Sequence, residues 1–430
     1  MKKITVKHRS TCRLCDSPDI VLAVKMEPIP PQELYLENAE DARAIERLPV
    51  DIYFCEDCSH VQQLDILDSE TLWQDYTYES SKAKGMMQHF QEFTDDVLEE
   101  HNLQKDNGYI LDIGSNDGAL LSCFKNEGFQ VIGVDPAKNL AEQATKAGIP
   151  TYADLFDVET AKRILDSDGK AAVITAFNAF AHADNLNDIA DGIRLLLKND
   201  GLFYFEVQYL LDVLDKVLIG TIFHEHLSHH SLLPMMQFLS SHGLELIDVK
   251  RVEVQHGALI GKVQLKGGPY HENKRVSELV SLEKERGLDR LETVQSLDKH
   301  LDELKIQANA FRAKVQNENA LVAAYGAARS GQSLISQLQL DGIIEFIVDN
   351  HPQKIGKFPA GDGIPVVSTE LLQTKKPDYT VILAWVHVKV IVANNRDYLQ
   401  RGGVFVVLTP QLTLVTEDNV NSFLDDYGVR

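Results

Sequence analysis

Ile110-Leu-Asp-Ile-Gly-Ser-Asn-Asp-Gly-Ala-Leu-Leu121 decides how this chain folds. Tyr109 to Ile113 is a short apolar run that stops at glycine, as a buried parallel strand does. Gly114 and Gly118 let the backbone turn tightly and approach a ligand with no Cβ in the way. From Ala119 the pattern turns helical, so a ligand would face a helix N-terminus at the carboxyl end of the strand. Gln130 to Asp135 then reads as a second strand ending in an acid, placed to accept the hydroxyls of a ribose.

Dinucleotide sites use G-x-G-x-x-G, whereas this turn is Asp112-x-Gly114-x-x-x-Gly118. That form resembles the first motif of S-adenosylmethionine (SAM) methyltransferases. The acid at each strand end favours SAM over a plain strand-to-helix turn. Further strands follow at 171–175 and 202–207, with helical stretches at 137–147 and 186–197 between and before them. This rhythm gives a doubly wound parallel sheet with ligands at the carboxyl strand ends. Asp154 follows a short extended piece and is placed to border an adenine. Asn178 and His182 follow the next strand, where polar groups line a reaction site. Ahead of the sheet, 69–103 is helical in pattern, and Tyr76, Tyr78 and Lys82 lie in a hydroxyl- and base-rich stretch within it. That stretch is either a solvated loop entering a helix at 88–101 or a substrate-contacting segment.

The chain has 430 residues, enough for several domains. Its net charge of −22 excludes a general nucleic-acid binder, which needs a basic face. No run approaches the ~18 apolar residues of a membrane span. The N-terminus is basic with no apolar core behind it, so it does not read as a secretory signal, and a cytoplasmic protein is expected. Four of the five cysteines form Cys12-x-x-Cys15 and Cys55-x-x-Cys58. Two such knuckles complete a tetrahedral structural zinc site. Disulfides and free thiols are the competing readings, and a cytoplasmic compartment disfavours the former. His60 is an alternate ligand, and Cys123 is a small buried residue.

Further on, His224-Glu225-His226-Leu-Ser-His229-His230 is too dense in histidine to be core filling. It lacks the H-E-x-x-H of a zinc protease. A scattered metal site and exposed turn histidines are alternatives to the favoured reading, an imidazole base beside a carboxylate that sets its tautomer. Residues 271–318 carry apolar positions at helical spacing and form one or two linking helices. A second α/β unit starts at 320, with strands near 321–325, 343–348, 379–384 and 404–408. Its turn Gly326-x-x-x-x-Gly331, with Arg329 beside it, has the form of a phosphate cradle. Asp349, Lys354 and Lys357 sit where the next strand ends.

In this order the motifs resemble the nucleotide-sugar C-methyltransferases that methylate C3 of 4-keto-6-deoxyhexoses. The paired knuckles look like the family's zinc domain, and Ile113 to Leu121 like its SAM motif. Asn178 with His182 looks like its fourth-strand segment, and His224-Glu225-His226 like its catalytic signature. Gly326 and Asp349 to Lys357 look like its nucleotide-sugar domain. The resemblance implies an N-terminal zinc-binding module (1–68), a central Rossmann-like SAM methyltransferase domain (69–270), a helical linker (271–318) and a C-terminal Rossmann-like α/β domain (319–430). It implies a SAM-dependent enzyme with structural zinc, acting on a nucleotide-diphosphate-linked 4-keto-6-deoxy sugar. His226 is then the base, with Glu225, His224, His182 and Tyr76 around the reacting centre. Asp112, Gly114, Asn116, Gly118, Asp135, Asp154 and Asn178 would hold SAM. Tyr78, Lys82, Gly326, Arg329, Asp349, Lys354 and Lys357 would hold the substrate. An O- or N-methyltransferase and a non-catalytic binding paralogue are the alternatives. Phe223 stands where the family has tyrosine, and Ala258-Leu259 where it has Gly-Ser after His-Gly. Val386 stands where it has asparagine, and Arg329-Ser330 where lysine-glycine is common.

Overall fold

The computed structural model describes residues 4–427 apart from 69–75, 77, 84, 102 and 107. The chain forms two units, and its segments alternate between them. The first contains Met1–Val21, Tyr53–Leu211 and Leu227–Thr293; the second contains Leu22–Ile52, Asp212–His226 and Val294–Arg430. Contiguous pieces were expected from sequence order. Instead 22–52, from the expected zinc module, and 212–226, from the expected methyltransferase domain, belong to the second unit. Strand Tyr35–Leu36 pairs there with Phe358–Pro359, and the Ile222 carbonyl accepts the Ser333 hydroxyl (2.9 Å).

The first unit is built on a seven-stranded sheet. Its strands are β1 (Ile110–Ile113), β2 (Val131–Val134), β3 (Thr151–Tyr152), β4 (Ala171–Phe177), β5 (Leu197–Gln208), β6 (Leu244–Val252) and β7 (Ala258–Leu265). The order is β6-β7-β5-β4-β1-β2-β3. Every pair from β3 to β5 is parallel, and β7 runs antiparallel to both of its neighbours. Every residue of β1 and β2 is buried, as parallel strands covered on both faces must be. The strand order reverses between β1 and β4, which opens a crevice at their carboxyl ends. Neither β6 nor β7 was anticipated from the sequence.

Helix α1 (Met86–Glu100) buries Met86, Phe90, Phe93, Thr94 and Val97, a stripe at helical spacing. Its Phe93 ring lies 4.5 Å from Phe177 and 5.2 Å from Tyr204, so the helix is keyed to β4 and β5. The helical expectation for 69–75 lies outside the described residues. The 3₁₀ turn Ser80–Lys82 precedes α1, and α2 (Ala119–Asn126), α3 (Lys138–Lys146), α4 (Val158–Asp168) and α5 (Leu186–Leu196) follow β1 to β4 in turn. Asp157 and Asn185 cap α4 and α5 by accepting the Thr160 and Asp188 amides.

The expected linking helices are two, α6 (Lys274–Glu285) and α7 (Leu291–Glu318). Helix α7 buries Val294, Leu297, Leu301, Leu304, Ala308, Phe311 and Val315, alternating steps of three and four that keep one face inward. The second unit carries β8 (Val322–Tyr325), β9 (Phe346–Asp349), β10 (Val366–Ser368), β11 (Tyr379–Ile382), β12 (Val404–Val407) and β13 (Thr413–Val415). Their order is β10-β9-β8-β11-β12-β13, parallel except for the β12–β13 pair. This too is a doubly wound sheet whose order reverses beside its first strand.

Candidate active site

In the first unit the glycine turn after β1 is held by close packing. Gly114 has φ +73°, and a Cβ there would come within 2.6 Å of the Ala179 Cβ. Gly118 has φ +80°, and a Cβ would meet Ile149 at 2.7 Å. Asp135 ends β2. Its carboxylate accepts the Asn116 amide (2.7 Å) and the Ala137 amide (2.8 Å), bracing the turn from the neighbouring strand. Burial pushes its carboxyl up to about 6 despite those two donors. Asp112 is sealed within β1 and accepts the Thr175 hydroxyl of β4 (2.6 Å), tying the two strands at the switch point. Burial pushes it to about 7.

Asn116 also holds its own chain. Its side chain donates to the Tyr78 carbonyl (3.0 Å) and accepts the Ser80 amide (2.9 Å). Asp117 accepts the Ser81 amide (3.1 Å) and hydroxyl (2.5 Å). The Asn-Asp pair therefore latches the Tyr78–Ser81 stretch onto the glycine turn. Tyr76 is buried against Ala137 and Leu140, and Asn139 donates to its carbonyl (3.0 Å). Tyr76 is thus anchored, while Ser81 and Lys82 stay exposed. Lys82 points outward and pairs with Glu79 (2.6 Å). Asp154 is half exposed and paired with Arg163 (2.5 Å).

Asn178 ends β4 in the left-handed region, φ +53°, with its amide on the Glu206 carbonyl (2.9 Å). Its side-chain amide donates to the Glu206 carboxylate (2.9 Å), which the His89 imidazole also contacts (2.5 Å). Glu206 is wholly buried. Burial works against a charge on His89, but the hydrogen bond and charge of Glu206 prevail and raise its pKa. Sequence reasoning gave Glu206 and His89 no role. A glutamate inside the apolar run Leu202–Val207 was the available signal. His182 closes the 3₁₀ turn Phe180–His182 that follows Asn178. A cavity of about 770 Å³ in this unit is bordered by His89, Phe93, Tyr204 and Ile260. Its basic Lys250 and Lys262 are paired with Asp96 (2.7 Å) and Glu100 (2.6 Å).

The four knuckle cysteines converge in the same unit. Cys12 and Cys58 sulfurs are 3.6 Å apart, as are those of Cys15 and Cys55, and all four lie within 4.8 Å of one another. A tetrahedral zinc with bonds of about 2.3 Å requires sulfurs roughly 3.8 Å apart. All five cysteines are free thiols, which removes the disulfide alternative. His60 instead turns to the Ser228 hydroxyl (3.2 Å), outside the sulfur set. Arg13, inside the first knuckle, is wholly buried and contacts Gln62 (3.1 Å), the Leu227 carbonyl (2.9 Å) and Asp184 (3.3 Å). The module is therefore anchored to the segments that enter α5 and leave the histidine cluster.

The second unit holds His224, Glu225 and His226. The His226 Nδ1–H donates to the Thr221 carbonyl at 2.6 Å. A carbonyl can only accept, so Nδ1 carries a proton, and Nε2 is the nitrogen left to titrate. The Phe223 ring lies 4.2 Å from that imidazole. Glu225 is buried and accepts from the Arg329 guanidinium (2.9 Å). His224 faces the Leu48 carbonyl (3.4 Å), and burial pushes it down to about 4, so it stays neutral.

Gly326 follows β8 with φ +93°, where a Cβ would meet the Ala384 Cβ at 2.5 Å. The Ala327 amide donates to Asp349 (2.6 Å), which also accepts the His351 amide (2.7 Å). Asp135 uses the same device in the first unit: an acid ending the second strand braces the first turn. The Ala327 carbonyl accepts the Tyr35 hydroxyl (2.8 Å) and the Lys354 ammonium (2.9 Å), and Lys354 also reaches Glu33 (3.1 Å). Lys357 pairs with Glu37 (3.4 Å). The Ala327 amide and Lys354, both at the expected phosphate cradle, thus have partners within the chain.

Three family models match in chain order: a putative zinc-binding domain over residues 12–73, a methyltransferase domain over 83–249 and a C-methyltransferase C-terminal domain over 253–410. The C-methyltransferase NovU of Streptomyces niveus is 30% identical over 96% of this chain and 99% of its own length. Among solved structures, magnesium protoporphyrin IX methyltransferase from Synechocystis, with bound S-adenosylhomocysteine, is 16% identical. It covers 43% of this chain and 84% of its own at a TM-score of 0.33. The methyltransferase CcbJ of Streptomyces caelestis is 12% identical, covering 45% and 94%, at 0.34. Scores of that size carry no weight, and the likeness stands on the family models and on NovU.

Proposed function

Because the chain belongs to the SAM-dependent C-methyltransferases, with a zinc-binding domain ahead of the methyltransferase domain and a C-methyltransferase domain behind it, we propose that it methylates C3 of a nucleotide-linked 4-keto-6-deoxyhexose. The observation that carries this reading is the Nδ1–H bond of His226 to the Thr221 carbonyl. It leaves Nε2 as the basic nitrogen and fixes the direction of the ring.

Bound SAM supplies an electrophilic methyl group on a sulfonium. The chain's residues must generate the carbon nucleophile. A proton on C3, next to the C4 carbonyl, is acidic enough for an imidazole to take. His226 Nε2 removes it, and the electron pair of the C3–H bond moves into the carbonyl to give an enolate. Glu225, held by Arg329, binds a sugar hydroxyl. Asp135 and Asn178 contact SAM from the ends of β2 and β4. Asp349 and Lys354 serve the nucleotide side.

A positioned base contributes about 10²- to 10⁴-fold. His226→Asn should lose turnover by about that factor while SAM affinity, read by titration calorimetry, stays the same. Turnover retained in His226→Asn would move the base elsewhere. If His182→Asn and His224→Asn were active as well, carbon acid chemistry would be the wrong reaction class.

A further inference from the structure

We infer that Arg329 is a positioning residue for Glu225, so that it serves the chemical step and is not a ligand of the substrate's diphosphate. This rests on the reading of His224-Glu225-His226 as the acid–base segment. The Arg329 Nη1–Glu225 Oε2 contact is 2.9 Å, and the Glu225 side chain is only 4% exposed. A carboxylate so far from water needs a counter-charge or it takes up a proton. Arg329 is that counter-charge.

The pair is one of several ties between the turn after β8 and the segment 220–226. The Ser333 hydroxyl donates to the Ile222 carbonyl (2.9 Å). The Trp385 indole donates to Ser330 Oγ (2.8 Å) and lies against Gly220, where a Cβ would come within 2.6 Å of the indole nitrogen. The segment closes on itself through His226 and Thr221 (2.6 Å). The Arg329-Ser330 pair thus reaches the segment twice, by a charge on Glu225 and by a hydroxyl on the indole that seats Gly220. Two groups at the turn already have partners, the Ala327 amide on Asp349 and, beside it, Lys354 on Glu33.

The test uses the zinc-loaded full-length protein with Arg329→Gln, Arg329→Lys, Glu225→Gln and the double variant. Turnover is followed with SAM and thymidine- and guanosine-diphospho-4-keto-6-deoxyhexoses, and thymidine and guanosine diphosphate binding by calorimetry. Arg329→Gln should lower kcat about 10- to 100-fold, the effect of a misplaced catalytic group, with the sugar KM and diphosphate affinity within about threefold. Arg329→Lys should recover part of kcat, and the double variant should be no slower than the slower single. A substrate-free arm compares urea midpoints: the double variant should lose less stability than the two singles summed. A tenfold rise in KM or diphosphate Kd with kcat unchanged would overturn the inference, as would additive urea effects. If Glu225→Gln is slow and Arg329→Gln is wild type, the inference fails and the reading of the segment survives. If His226→Asn also keeps its turnover, that reading fails first.

Discussion

At the scale of single residues, the acids at the strand ends hold backbone. Asp135 accepts two amides, from Asn116 and Ala137, and sits at the end of β2 where a ribose acceptor belongs. Asp135→Ala should therefore weaken SAM about ten- to a hundredfold, the equivalent of one unmade charged hydrogen bond. It should also lower the urea midpoint, because two buried donors lose their acceptor. Calorimetry showing unchanged SAM affinity would put the ribose elsewhere. Asn116 makes a related point. Its place in the Asn-Asp step was legible, but its partners, Tyr78 and Ser80, lie far back in the chain. Spacing alone reports a turn and not what the turn holds. The same limit hid His89, whose partner Glu206 is reached only once α1 is packed on the sheet.

Among elements, the zinc knuckles are the most self-contained. Four sulfurs with no disulfide between them should bind about one zinc per chain. Cys12→Ser or Cys55→Ser should lose it and destabilise the module, since metal affinity there is folding free energy. Well-folded wild type without zinc by elemental analysis would contradict this. The buried histidines make a second prediction. Burial and neighbouring His229 push His230 down to about 3, and burial holds His229 near 4. Both lie below the unfolded value of about 6.5. The unfolded chain therefore binds protons that the folded chain refuses as pH falls from about 6.5 towards 3, and stability falls with it. Above that window the groups are neutral in both states and contribute no slope. His230→Leu should flatten the fall of the urea midpoint between pH 6.5 and 4; a slope equal to wild type would contradict the assignment.

The sequence is also most legible at the level of elements. Strands β1 and β2 could be placed because a run of four or five residues, apolar but for Asp112, that stops at glycine or an acid is too short for a helix and too apolar for a loop. Strands β6 and β7 could not, although Leu244–Val252 begins with alternating burial. Their antiparallel pairing depends on a partner strand that no local signal names.

At the scale of the whole molecule, two doubly wound sheets use one design, a glycine turn braced by an acid from the next strand. Their presence was legible in the sequence, but their composition was not. The chain enters the second unit in three separate stretches. The short one, Asp212–His226, carries His224-Glu225-His226 into a unit that sequence order would not give it. Long-range ties decide that placement, among them Ser333 to Ile222 and Arg329 to Glu225.

The chain's defining chemistry is methyl transfer to carbon. It is tested most directly by incubating the zinc-loaded protein with methyl-labelled SAM and a thymidine-diphospho-4-keto-6-deoxyhexose, then locating the label by NMR. The labelled methyl should be bonded to carbon at C3. A label on oxygen or nitrogen, or no transfer to this or the guanosine-linked sugar, would contradict it.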